Sequence, residues 1–127
     1  MVAGRGAWGG RLGLVGLGVV IGVVVAVVVV MWPRRTLVQR EDQPATVRYA
    51  DGAGHHVGLF RERTLFSESY HLVISGDPGL SYGHRVDIGA GGSLRVRAAE
   101  WTDAGVRVRF VSGHELFVPA ALFIGGR

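Results

Sequence analysis

The chain has 127 residues, 48% of them apolar, with 21 glycines and no cysteine, which excludes a disulfide scaffold and any thiolate metal or redox site. The formal charge of +4 is carried by arginine alone and sits mostly near the N-terminal apolar run. Residues 44–127 hold nine arginines against eight acids, so no nucleic-acid partner is expected.

Four segments follow in chain order. Residues 1–11 form a basic tail with Arg5 and Arg11. Residues 12–32 contain no charge, and ten of the 21 are valine. As a helix they would span roughly 32 Å, the thickness of a hydrocarbon core at about 30 Å. Valine disfavours helix in water, but in lipid each backbone amide must be satisfied within the segment, so a transmembrane helix is predicted. The run exceeds the about 7–15 apolar residues of a signal peptide, and no small-residue cleavage site precedes Pro33, so an uncleaved anchor is expected. Trp8 and Trp32 suit the two interfaces, and Arg34 and Arg35 can reach lipid phosphates. Gly18, Gly22 and Ala26 recur every four residues on one helix face, the spacing of a close helix–helix seam in a homodimer or with a partner membrane protein. The flanking arginines nearly balance. A short N-terminal tail crosses easily, which tips the expectation toward a cytoplasmic C-terminal domain.

Residues 33–43 read as a polar juxtamembrane linker. From residue 44 the pattern changes to short β-branched and aromatic runs separated by glycine turns. Strands are predicted over Thr46–Tyr49, His56–Arg61, Tyr70–Ser75, Tyr82–Ile88, Ser93–Ala98, Val106–Phe110 and His114–Val118. Ala120–Ile124 reads as one helical turn or an edge strand. The fold class is therefore all-β: after the helix, a small antiparallel β-barrel or rolled sheet, with an SH3-like layout as the first expectation.

The last hairpin can be specified residue by residue. A three-residue loop, Val111-Ser112-Gly113, with Gly113 left-handed, sets Arg109 opposite Glu115, Val108 opposite Leu116, Arg107 opposite Phe117 and Val106 opposite Val118. Val106, Val108, Phe110, Leu116 and Val118 then share the core face. The preceding strand should join through the turn Thr102–Gly105, with Trp101 against Val106. A phase shift between Ala98 and Trp101 predicts a bulge there.

Chemistry is sparse. The five histidines (His55, His56, His71, His84 and His114) read as scattered surface groups, since a metal needs three or four converging ligands. Ser112-Gly113-His114-Glu115 invites comparison with a hydrolytic triad, but no strand–Ser–helix elbow follows. The glycine turns at Gly52–Gly54 and Gly89–Gly92 lack the helix and lysine of a phosphate loop. No catalytic residue, cofactor or metal site is expected, and the chain reads as a non-enzyme. Arg95, Arg97, Arg107 and Arg109 should share one sheet face and form a candidate contact for anionic lipid or an acidic protein surface. The alternative is a ligand- or metal-responsive domain that uses the histidines.

Glu100-Trp101-Thr102-Asp103-Ala104-Gly105-Val106, followed by Ser112-Gly113-His114-Glu115-Leu116-Phe117-Val118-Pro119, resembles a phrase in small, uncharacterised single-pass membrane proteins of high-GC Gram-positive bacteria. The resemblance implies a bacterial plasma-membrane protein and carries no site residue with it.

Overall fold

The computed structural model describes residues 5–90 and 93–125. The chain divides into two units, one ending at Pro33 and one beginning at Arg34. The first is a single helix, α1 (Arg5–Met31), which extends through the described part of the tail. Its apolar window, Gly9–Met31, has a mean hydropathy of 3.1 and none of it is buried within the protein.

The second unit consists of two antiparallel sheets. Strands β1 (Arg34–Asp42), β2 (His56–Arg63), β3 (Glu68–Ser75) and β4 (His84–Ala90) form the first, in that order. Strands β5 (Val96–Thr102), β6 (Gly105–Phe110) and β7 (Glu115–Pro119) form the second, and a single 3-10 turn, Ala120–Leu122, follows. The expected barrel is therefore not closed. The sheets pack face to face over Val57, Leu59, Tyr70, Leu72 and Ile74 from the first and Val96, Trp101, Val106, Val108, Phe110 and Val118 from the second. Gln39 stitches them along one edge. Its side-chain amide donates to the Val96 carbonyl (3.0 Å) and its carbonyl accepts from the Val96 N–H (2.6 Å), so a side chain takes the place of a ladder between β1 and β5. At the opposite edge no such link joins β4 and β7 among the described residues, and a cleft of about 420 Å³ opens between Val86, Ile88, Leu94, Phe110 and Leu116.

Two expected elements change character. The segment 33–43 is not a linker, because Arg34–Asp42 pairs with the whole of β2 as an edge strand. An edge strand needs one partner and no apolar alternation, so its polar sequence did not announce it. Conversely, Thr46–Tyr49 is irregular rather than a strand. What holds it is Tyr49, buried among His55, Trp101 and Phe123, with its hydroxyl donating to the Thr102 carbonyl (2.8 Å). Of the Gly89–Gly92 turn, Gly89 belongs to β4 and residues 91–92 lie outside the described part.

The final hairpin has the predicted register at all four pairs, from Arg109–Glu115 to Val106–Val118. Gly113 is left-handed (φ 92°) and its N–H donates to the Phe110 carbonyl (3.0 Å). Trp101 pairs with Val106, as expected. The bulge lies earlier than expected, at Arg97 between Val96 and Ala98. Trp101 decides this. Burying its ring fixes the phase back to Ala99, and the extra residue must be absorbed before it. Ala98 therefore faces solvent, not the core.

A second, smaller cluster lies on the outer face of the first sheet. Phe60 and Val73 are covered there by Leu80, which the β3–β4 loop folds back over Gly58. Asp77 shapes that loop. Its carboxylate accepts from the Ser81 hydroxyl, the Ser81 N–H (3.0 Å) and the Gly79 N–H (3.2 Å). These bonds, the Ser81 hydroxyl first, hold the Asp77 pKa below the usual carboxylate range.

Candidate functional site

The four arginines expected on one face are exposed but divided. Arg107 and Arg109 project from β6, where Glu100 lies opposite Arg107. Arg109 is held between Glu115 (2.9 Å) and Glu100 (3.3 Å), and Arg107 lies 5.9 Å from the centre of the Phe117 ring. Arg97 occupies the bulge and shares a hollow of about 380 Å³ with Arg109 and Glu115. Arg95 precedes β5, and its carbonyl accepts from the Val111 N–H (3.0 Å). The bulge therefore breaks the uniform arginine row, and the acids neutralise much of what remains. Each exposed pair contributes about 0–1 kcal/mol.

The expected surface histidines are also divided. His55 and His71 are buried, which corrects the expectation. The Nε2 of His55 lies 3.0 Å from Asp51, its Nδ1 lies 3.0 Å from Gln43 Oε1, and Tyr49 and Phe123 meet its ring edge-on. This is a structural corner post. His71 stacks on Phe60, with ring centroids 5.5 Å apart and planes 11° apart, and neither ring nitrogen has a partner. His56 forms a half-exposed triangle with Asp42 (2.6 Å) and Arg40 (3.2 Å), which holds the Asp42 pKa low, the Arg40 hydrogen bond foremost. Among the described residues no three His, Cys, Asp or Glu side chains converge as metal ligands.

Ser112 and His114 do meet, with Oγ 3.0 Å from Nδ1. Both are exposed on the β6–β7 turn at the rim of the cleft. A hydrolytic site also needs a group that orients the imidazole through its other nitrogen. The adjacent carboxylate of Glu115 is engaged by Arg109 instead. The contact is that of a capped hairpin turn.

Gly18, Gly22 and Ala26 lie exposed along α1, and no Cβ at Gly18 or Gly22 would meet another atom within 4 Å. Trp32 is exposed just past the helix end, whereas the Trp8 side chain lies outside the described residues. Arg34 and Arg35, expected to reach lipid phosphates, are the first two residues of β1. The guanidinium of Arg35 lies 3.9 Å over the Phe60 ring, a cation–π contact that pattern reading could not find because it depends on β1 pairing. Comparison with protein-family models, with characterised protein sequences and with solved structures finds no match to this chain.

Proposed function

We propose that the chain is a single-pass protein of the bacterial plasma membrane, whose β domain is a non-enzymatic interaction module held at the bilayer surface. One observation carries this reading: Gly9–Met31 is a 23-residue apolar helix with nothing of its own protein around it, and lipid is the solvent that satisfies it. Only Trp32 and Pro33 separate that helix from β1. The flanking charges nearly balance, and the short N-terminal tail favours a cytoplasmic domain. Full-length protein is expected to stay with membranes through an alkaline wash, to leave them only with detergent, and to keep its N-terminus. Release without detergent, or a mature chain beginning beyond Trp32, would instead mark α1 as a cleaved export signal. A reporter fused after Arg127 fixes the side.

The exposed Gly18–Gly22–Ala26 face supports a self-association seam within the bilayer. Gly18→Ile with Gly22→Ile is expected to lower the signal of a membrane dimerisation reporter several-fold. An unchanged signal would remove the seam.

The second reading, a ligand-responsive domain, rests on the 420 Å³ cleft with Asp87, Ser112, His114 and Glu115 beside its apolar walls. It requires a thermal shift of the full chain with zinc, nickel or copper that is lost in His114→Ala.

A further inference from the structure

The β2–β3 hairpin ends in an unusual turn. Thr64 N–H donates to the Ser67 carbonyl (2.8 Å), Ser67 N–H donates to Thr64 Oγ1 (3.1 Å), and the two hydroxyls lie 2.7 Å apart. This lock presents Leu65 and Phe66 at the apex, 59% and 81% exposed. Short turns ordinarily carry Gly, Asn or Asp there, because those residues tolerate both the backbone and the water. Two large apolar side chains held outward by a polar clamp are a feature that water alone does not favour.

The direction in which they point follows from chain order. Arg34, the first residue of β1, pairs with Arg63, the last of β2. The hairpin runs two residues beyond that pair, about 7 Å, toward the side from which the chain enters β1. Only Trp32 and Pro33 lie between Met31, the last residue of α1, and Arg34, three Cα–Cα steps that reach at most about 11 Å. The apolar apex is therefore at the same end of the sheet as Arg34, where the chain enters the domain.

Charge is polarised along the same axis. Arg34, Arg35, Arg61 and Arg63 stand at this end against Glu62 and Glu68, and among the described residues none of the four forms an ion pair. The far end carries Glu41, Asp42 and Asp77 against Arg40 and Arg85.

We propose that the Leu65–Phe66 tip is a second membrane contact: the two side chains enter the interface of an anionic bilayer while the surrounding arginines hold phospholipid headgroups, so the sheet is docked end-on. Anionic headgroups attract arginines held at such a surface. The inference rests on α1 being the anchor, and its test separates the two.

The cysteine-free chain allows single labelling sites. Full-length protein would be reconstituted into vesicles of phosphatidylcholine and phosphatidylglycerol, with an environment-sensitive fluorophore on Val24→Cys, Phe66→Cys or Tyr82→Cys. Tyr82 is the matched control, since it is aromatic, 52% exposed and in the loop at the other end of the same sheet. The labels at 24 and 66 are expected to be quenched by nitroxide-bearing lipids, deep and shallow respectively. Aqueous iodide should quench the label at 82 several-fold more than that at 66. In phosphatidylcholine alone, iodide quenching at 66 should rise. Equal iodide quenching at 66 and 82, with 24 still in lipid, overturns the second contact and leaves the anchor intact. Iodide quenching at 24 overturns the anchor and the proposal together. A response at 66 that ignores lipid charge overturns the role given to the arginines.

Discussion

Replacing Gly105 with alanine is expected to cost the domain a large part of its stability, about 3–5 kcal/mol. Gly105 opens β6 at φ 154°, a conformation L side chains rarely adopt. A Cβ there would collide with the Val118 carbonyl oxygen and lie 2.9 Å from Pro119 Cα and 3.0 Å from Ala120 N. All three are backbone atoms, where β7 turns into the 3-10 turn, so none can swing aside. The site is also a junction: the Gly105 carbonyl accepts from the Thr102 hydroxyl (3.1 Å), and the Tyr49 hydroxyl donates beside it to Thr102. A small domain has only about 5–15 kcal/mol in total. Gly113→Ala is the control. It too is left-handed (φ 92°), but nothing lies within 4 Å of its would-be Cβ, so it should cost only about 1–2 kcal/mol. Denaturant titration of the full chain in detergent, followed by near-ultraviolet dichroism of Trp101, distinguishes them. Equal losses for the two variants would mean that the β6–β7 corner is not packed as described.

Gly105 was foreseen only as a turn residue, and the reason applies more widely. Elements written in local pattern were legible. The apolar run of α1 stands out by length. Val106–Val118 alternates so cleanly that only one hairpin register keeps both faces consistent, and that register is present. Elements fixed by distant partners were not. Every residue of β1 is polar except Leu37 and Val38, and it becomes a strand only because β2 presents a free edge. The bulge at Arg97 answers to the burial of Trp101, four residues away. The arginine face failed for that reason: alternation predicts a row only while the register holds. The place of the Leu65–Phe66 apex depends on which end of the sheet the chain enters, and that follows from the pairing of Arg34 with Arg63.

The same cause hid His71. Alternation along Tyr70–Ser75 places Tyr70, Leu72 and Ile74 inward, which would leave His71 and Val73 in water. The β3–β4 loop instead brings Leu80 over the outer face, and His71 is 1% exposed with both nitrogens orphaned. A buried polar group without a partner costs about 1–3 kcal/mol, and the stack on Phe60 returns about 0.5–1.5 kcal/mol. His71→Leu is therefore expected to stabilise the protein by about 1 kcal/mol at neutral pH. His55→Leu, which removes the imidazole's contacts with Gln43 Oε1 and Asp51, should destabilise it.

The pH dependence follows from the same burial. Desolvation first, then the positive charges of Arg85 and Arg35, lower the His71 pKa in the folded state, outweighing Glu62 and Asp87. The unfolded chain takes up its proton as pH falls through about 6.5, whereas the folded chain takes it up only at lower pH. Stability is thus complete above that value and is lost as pH falls toward the folded-state pKa, with a slope of at most about 1.4 kcal/mol per pH unit. His71→Leu should remove this limb and leave the separate loss that begins below about pH 4, where the unfolded chain protonates the carboxyls of Asp42 and Asp77 while the folded state still holds them ionised. Denaturation midpoints of the full chain in detergent across that range decide it: a variant less stable than the parent, with the limb near pH 6 unchanged, would place the imidazole in water and dissolve the second cluster as described.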